Sequence, residues 1–379
     1  MFTTIELLIF GITTALFGGC AAHSMGYVGT GRGTWRYWAL LIAFFGAMVA
    51  AVLTRSLVGM WVAIEATTLL SAPLICHHKS AGAVEAMWKY LLICSIGIAL
   101  ALFGTLLVLH GWYKPGFVFI LAGYGTKMGL APFHTWLPDA HSEAPGPVSA
   151  MLSGALLNCS FLAIWRFRAI MPEAIAPFCD NAMIALGLLS LAVAAVFVVR
   201  QTDYKRMLAY STVEHMGLII ILFAIHAREE LLCAHVFFHS VIKMALFLVA
   251  GNLLLAYGTR EIAAIHGMGR TMKLHAALWM LGILMICGMP PSGLFVTELG
   301  LLMTAPMWLG LTVASLLFVI FAGMVHVAVG MVFGKSDRLH SAAARSLPRA
   351  LGAMPSAALI AAFVAGSLFI VGLIVKGGF

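Results

Sequence analysis

Charge is what this chain has least of. Only 9% of its 379 residues are Asp, Glu, Lys or Arg, whereas 62% are hydrophobic, and the mean hydropathy is +1.03. Soluble domains carry about a quarter charged residues, so a soluble globular fold is excluded. A second absence is any CxxC pair. The seven cysteines, Cys20, Cys76, Cys94, Cys159, Cys179, Cys233 and Cys287, are scattered and mostly lie within apolar runs, which supports neither a zinc nor an iron–sulfur site. Nor does a glycine fingerprint sit on a strand–helix unit, so no dinucleotide site is expected. The net charge of +8 does not point to nucleic acid, because the basic residues occupy short segments between apolar runs. The first apolar run, near Glu6–Ala21, lacks a basic leader and a clear small-residue cleavage site. It reads as a retained helix, not a signal peptide. No cofactor and no metal are expected in this chain.

What is present, along the whole length, is apolar runs of about 20 residues, enough to cross a bilayer. The pattern predicts an all-α polytopic membrane protein forming one domain over 1–379, with lipid as its surroundings. Twelve crossings are expected near 5–22, 36–54, 56–76, 86–110, 117–133, 146–168, 180–199, 206–226, 230–257, 274–302, 308–333 and 353–376. The fifth holds Pro132, and the tenth holds Gly288, Pro290-Pro291, Ser292 and Gly293. Proline removes a backbone donor and clashes with the preceding turn. Broken helices at membrane depth persist only where they are buried in protein or line a wet cavity, and such a pair points to a transporter's working site.

Alternating the loops puts Arg32, Arg36, Lys79, Arg200, Lys205, Arg206, Arg260, Arg270, Lys273, Lys335, Arg338, Arg345 and Arg349 on one side. The other side collects Arg55, Lys114, Arg166, Arg168, Arg228 and Lys376. The richer side is expected to be cytoplasmic, with both termini outside. Spans two to six (about 36–168) and seven to eleven (about 180–333) repeat an order of features: an acid (Glu65; Glu214), then a lysine (Lys89; Lys243), then a charged broken helix (Lys127; Glu298). Five helices per half is an odd number, so the second half is expected to be inverted, as in secondary transporters. The helices 5–22 and 353–376 flank the two repeats.

The few charges inside spans carry the functional expectation. A lysine at the centre of a membrane helix costs roughly 2.5 to 3.5 kcal/mol on insertion scales, yet Lys127 follows a long run of apolar and small residues. Lysine shifts its proton affinity readily when desolvated, which makes Lys127 the candidate proton carrier and Glu65 its counter-charge. A static ion pair, or a lysine snorkelling toward the interface past Pro132, is the plainer reading. His235, His239 and Lys243 recur every four residues and form one stripe on a helix face, and imidazole exchanges protons near neutral pH. Glu214 and His215 are adjacent, so they point about 100° apart and only one need face the stripe. Glu298 lies just past the second break. Lys89 serves equally as a relay member or an interfacial anchor. His134, Asp139, His141 and Glu143 fall in an expected loop after the first break, where they cap the next helix or guard an access path. His77, His78 and His326 carry no assignment.

The segment Lys-Met-Gly-Leu-Ala-Pro-Phe-His-Thr-Trp-Leu-Pro-Asp-Ala-His-Ser-Glu-Ala-Pro at 127–145 resembles the signature of the antiporter-like membrane subunits. These occur in respiratory complex I, Mrp-type cation/proton antiporters and group 4 membrane-bound nickel–iron hydrogenases. Glu65-Ala-Thr-Thr-Leu, the run from Trp88 to Leu102, and Ala209-Tyr-Ser-Thr-Val-Glu-His-Met-Gly resemble most the hydrogenase-4 component F branch. The resemblance implies an ion pair of Glu65 with Lys127, a central His239 and Lys243, and Glu298 as the charged residue of the second broken helix. It implies a proton-translocating subunit, with or without sodium coupling, that has no redox site of its own and sits in a prokaryotic inner membrane. Its implied partners are other membrane subunits and a peripheral nickel–iron hydrogenase-like arm with iron–sulfur subunits. Two features depart from the family pattern. Asn158 stands where many members carry a bridging lysine or histidine, and about two N-terminal helices are missing. Asparagine hydrogen-bonds water but carries no proton at neutral pH; either Ser153 or Ser160 with water completes the path, or coupling in this subunit differs. The alternatives are a non-pumping scaffold and an Mrp-type antiporter subunit.

Overall fold

The computed structural model describes residues 2–29, 31–334 and 350–375. The basic residues Lys335, Arg338, Arg345, Arg349 and Lys376 lie outside the described residues. Among the described residues the chain is helical, with no strand longer than a single Asp203–Glu261 bridge. In chain order the helices are α1 (Thr4–Tyr27), α2 (Trp35–Leu53), α3 (Leu57–Ile75), α4 (Ala81–Leu109), α5 (Tyr113–Met128), α6 (Trp136–Glu143), α7 (Gly146–Ala169), α8 (Ala176–Val198), α9 (Tyr204–Ala224) and α10 (Glu229–Tyr257). They continue with α11 (Lys273–Ile286), α12 (Gly293–Thr304), α13 (Met307–Phe333) and α14 (Ala350–Val375).

Ten of these helices are long and apolar enough to cross a membrane. The expected twelve crossings require α5, of 16 residues, and the α11–α12 pair to be counted as well. Helix starts follow local capping chemistry. Thr3 and Glu6 form a reciprocal capping box on α1, Ser56 and Ser80 cap α3 and α4, and the Asp203 carboxylate accepts from the Lys205 and Arg206 amides at the start of α9. Each of these side chains satisfies amide donors that the first helical turn cannot.

Both breaks lie where proline and glycine place them, and the freed backbone groups find partners. α5 stops at Gly129, whose φ of 81° is left-handed. The Leu130 amide then bonds the Gly125 carbonyl at 2.9 Å, the pattern of a Schellman stop. The Trp136 indole donates to the Thr126 carbonyl at 2.8 Å, and Ser190 Oγ accepts from the Ala131 amide at 2.9 Å. The expected loop after Pro132 is not a loop: it is the short turn Phe133–Thr135 followed by α6. Asp139, His141 and Glu143 therefore lie on a helix, because nothing after Pro138 interrupts the turn until Ala144 adopts an extended conformation. At the second break, Ser292 Oγ donates to the Met285 carbonyl at 2.9 Å.

The bundle has an inner layer and a lipid-facing layer. The best apolar windows of α7 and α9 are each 94% buried and that of α10 is 83%, against 28–50% for the other long helices. α7 is not a uniform α-helix; Leu152–Leu156 is π-helical, a distortion frequent at functional sites. One end of the bundle is tied by Glu6, which is fully buried and accepts from Arg166 at 2.8 Å and Arg55 at 2.9 Å. Arg166 also donates to the carbonyls of Val52 (2.6 Å) and Thr54 (2.8 Å), closing the C-terminal end of α2.

Candidate functional site

Three lysines, Lys127, Lys205 and Lys243, are completely buried. Each marks a separate polar cluster, two in the helix core and one at its rim.

The first cluster joins α3, α4 and α5. Lys127 Nζ donates to Tyr90 Oη at 2.5 Å and to Thr68 Oγ1 at 3.0 Å. The ammonium also lies 4.5 Å from the Tyr90 ring centroid and 5.9 Å from that of Trp136, so aromatic faces replace part of its lost hydration. Tyr90 Oη is in turn 2.6 Å from Ser71 Oγ. Glu65 is half-buried, takes a hydrogen bond from Ser95 at 2.8 Å, and leaves Oε2 without a hydrogen-bond partner. Glu65 is within coulombic reach of Lys127, but among the described residues no direct ion pair forms between them. The expected pair is thus a separated one: polar hydroxyls on α3 and α4 hold the lysine, and the carboxylate stands apart.

The second cluster belongs to α9, α10 and the α11–α12 pair. His215, His235, His239 and Lys243 are all fully buried, and Glu214 nearly so. Although only one of Glu214 and His215 need face the stripe, both reach this cluster. Lys243 Nζ donates to the Leu208 carbonyl at 2.8 Å and lies within coulombic reach of Glu214. His215 Nδ1 is 3.2 Å from His235 Nε2, and the His215 and His239 ring centroids are 5.2 Å apart. Neither ring nitrogen of His239 has a hydrogen-bond partner, and neither does Glu298 Oε1.

Between the clusters, at the π-helical stretch of α7, Asn158 Nδ2 donates to the Gly154 carbonyl and to Ser240 Oγ, each at 2.8 Å. Asn158 Oδ1 and Ser160 Oγ are buried without hydrogen-bond partners. Ser153 Oγ meets Thr212 Oγ1 at 2.8 Å, and Thr212 donates to the same Leu208 carbonyl that seats Lys243. His141, on α6, is fully buried and stacked on Phe247 with centroids 4.7 Å apart, and both of its ring nitrogens lack hydrogen-bond partners. Imidazoles placed so can take or give protons through water.

The third cluster lies at the rim. Lys205 Nζ donates to the carbonyls of Ala144 (2.5 Å) and Ser142 (3.0 Å) at the end of α6. Arg260 pairs with Glu143 at 2.6 Å, and Ser142 Oγ donates to Asp203 at 2.5 Å. An open cavity of about 530 Å³ adjoins them, lined in part by His78, Asp203 and Arg260. Burial and the neighbouring Lys205 and Arg260 cations hold the His78 imidazole below its usual range. Lys89 sits at this rim, not in the core. It is half-exposed and bridges Glu85 at 2.7 Å and Asp139 at 3.1 Å, and Asp139 also binds Arg206 at 3.0 Å. His134 is buried at the first break, edge-on to Tyr210.

Sequence reasoning missed Tyr90, Thr68, Lys205 and Glu6 as buried polar anchors, and Arg166 as the partly buried partner of Glu6. Tyr90 and Thr68 carry no charge that marks them inside a span, and Lys205 and Arg166 read as ordinary loop cations. Among the described residues no group of three or more His, Cys, Asp or Glu could hold a metal ion.

The profile of the NADH:quinone oxidoreductase/Mrp antiporter membrane region matches residues 113–325, which takes in both breaks, Lys127, Lys243 and Glu298. The chain belongs to this antiporter-like family. Among family relatives, a hydrogenase-4 component F homolog of Methylacidiphilum infernorum (isolate V4) is 35% identical over 329 residues, covering 78% of this chain and 69% of that protein. A probable K(+)/H(+) antiporter component of Rhizobium meliloti (strain 1021) is 32% identical over 280 residues, 67% of this chain and 28% of that much longer one. A chain in the structure of the Mrp complex from Dietzia sp. DQ12-45-1b superposes with a TM-score of 0.87 at 19% identity, covering 100% of this chain and 83% of that one. The antiporter-like membrane fold is therefore shared.

Proposed function

We propose that this chain is the ion-translocating membrane subunit of a multisubunit redox complex and carries protons, with or without sodium exchange, along a buried line of polar residues. Supporting this reading above all is the burial of Lys127 and Lys243 in the helix core, each with polar partners from neighbouring helices. Burying such charges without use is costly. The relay runs from the Lys127 cluster, with Glu65 as a separated counter-charge, past Asn158, Ser153 and His141 to Lys243, Glu214, His239, His235 and His215, and on to Glu298. Lys89, Asp139 and His134 serve its access side. Altering the field around Glu65 changes how tightly Lys127 holds its proton, which then moves toward the second cluster.

In the proposed arrangement 36–168 and 180–333 are inverted repeats, the rim that carries Lys79, Lys205, Arg206 and Arg260 faces the cytoplasm, and both termini face outside across a prokaryotic inner membrane. The likeness to a hydrogenase-4 component F homolog favours a complex with further membrane subunits and a peripheral nickel–iron hydrogenase-like arm. The likeness to a K(+)/H(+) antiporter component supports a second reading, a gradient-driven cation/proton exchanger.

Lys127→Ala in the assembled complex tests the relay. Proton translocation into membrane vesicles is expected to be lost while assembly persists; undiminished translocation overturns the reading. Affinity purification in mild detergent separates the two settings, with hydrogenase and iron–sulfur subunits expected for the first and only small antiporter subunits for the second.

A further inference from the structure

A chain of hydrogen bonds crosses the second break. His215 Nε2 lies 3.0 Å from the Ile286 carbonyl, the last residue of α11, and His215 Nδ1 lies 3.2 Å from His235 Nε2. His235 Nδ1 lies 2.9 Å from Thr297 Oγ1 on α12, and that hydroxyl lies 2.9 Å from the Leu294 carbonyl. Both ends of the chain are carbonyls, which only accept, and this fixes the protons. The Ile286 carbonyl requires a proton on His215 Nε2. A neutral His215 then accepts at Nδ1, so His235 must donate from Nε2. A neutral His235 has a bare Nδ1, and the Thr297 hydroxyl must donate to it. Three protons fill three contacts, and the Leu294 carbonyl receives nothing from Thr297.

One more proton fits without displacing any heavy atom. Placed on His235 Nδ1, it donates to Thr297 Oγ1, and the hydroxyl hydrogen turns to the Leu294 carbonyl. Four protons then fill four contacts. Leaving a buried donor or acceptor unsatisfied costs about 1–3 kcal/mol, and this geometry avoids that cost in both protonation states. Loading is balanced at the atoms: as the Thr297 hydrogen passes to His235 Nδ1, an incoming proton from hydronium or a protonated carboxyl group replaces it on Oγ1. Unloading is the reverse. The Ile286 carbonyl closes the other end, so a proton does not leave that way.

We infer that Thr297 is a positioning residue that lets His235 hold either one ring proton or two, making the His215–His235–Thr297 chain a proton-loading site at the second break. Its place in transport rests on the relay proposed above; its protonation does not. The titratable groups electrostatically linked to this cluster are His239 and Lys243 on α10, Glu214 on α9, Cys287 at the break and Glu298 on α12.

The test reads ring protonation directly. The full chain, labelled with ¹⁵N-histidine and reconstituted in lipid, is titrated by solid-state NMR, with His235 assigned by difference from His235→Gln. His235 should gain a second ring N–H as pH falls. Thr297→Val, which keeps shape but removes the hydroxyl, should lower that midpoint by about one pH unit, a tenfold loss in proton affinity. Thr297→Ser should titrate like the parent. Coincident titrations of the parent and Thr297→Val overturn the inference, as does a His235 ring that never takes a second proton. Loss of the relay reading through an active Lys127→Ala variant would leave the titration result unchanged, so the two failures are distinguishable.

Discussion

The Lys127 ammonium donates to the Tyr90 phenol at 2.5 Å, while the Glu65 carboxylate takes its hydrogen bond from Ser95. A lysine held by neutral oxygens keeps its seat when its proton leaves, because one hydroxyl can donate to the single lone pair of the amine while the other still accepts from an N–H. A direct carboxylate contact would bind the charged form far more tightly than the neutral one.

Removing the phenol while keeping the ring therefore isolates this hydrogen bond. Tyr90→Phe retains the aromatic face beside Lys127 and loses the acceptor for Nζ and the link to Ser71. A hydrogen bond to a charged group contributes about 1.5–3 kcal/mol. Proton translocation in vesicles should fall several-fold with the complex still assembled, and Thr68→Val should add to the loss. Full activity in Tyr90→Phe would mean that the phenol does not tune Lys127.

How far the sequence disclosed this arrangement depended on contrast. Proline and glycine against an apolar background marked both breaks, and His235, His239 and Lys243 at helical spacing marked the second cluster. Partners of ordinary type did not stand out. Nothing in Thr68, Tyr90 or Thr297 distinguishes a hydroxyl that serves a buried charge from one that bonds its own helix. The expectation of a loop at 139–143 failed for a related reason: polar residues after a proline read as a turn, yet α6 is polar because it faces the rim network of Lys89, Arg206, Lys205 and Arg260.

Glu6 and Arg166 illustrate a buried charge with a structural task. Glu6 accepts from both Arg166 and Arg55, and Arg166 closes the end of α2. Breaking a buried pair by removing one partner costs about 3–5 kcal/mol. Glu6→Ala should lower the thermal stability and yield of the chain in detergent more than Lys127→Ala does. Equal stability of Glu6→Ala and the parent would show that α1 is held by apolar packing alone.

Lys205 should behave in the same way at the other end of the bundle. Lys205→Met removes the shorter of two side-chain donors to the Ala144 carbonyl, leaving Ser149 Oγ at 3.4 Å, and one of two donors to the Ser142 carbonyl, since Arg260 also bonds the latter at 3.0 Å. A carbonyl left wholly unsatisfied costs about 1–3 kcal/mol, so this partial loss should cost less. Hydrogen exchange should quicken across Trp136–Glu143 and the start of α9, with α3 and α13 unaffected. Unchanged protection of α6 would show that Arg260 and Glu143 suffice to anchor it.

Asn158 tests how the two proposed relay clusters would communicate. It has no titratable group, but it joins α7 to Ser240 on α10 and presents a buried Oδ1 with no hydrogen-bond partner beside the π-helical stretch. An oxygen in that position can order water between the Lys127 and Lys243 clusters. Asn158→Leu keeps the branched side-chain shape and removes every polar atom, so translocation should drop about tenfold, equivalent to roughly 1.4 kcal/mol on the transfer barrier, besides an overpacking cost in stability of about 1–3 kcal/mol. Asn158→Lys, which supplies a proton-carrying group at the same place, should transport better than Asn158→Leu. If Asn158→Leu transports as well as the parent, the protons pass instead along Ser153, Thr212 and His141, and the Ser153→Ala variant becomes the one that slows transport.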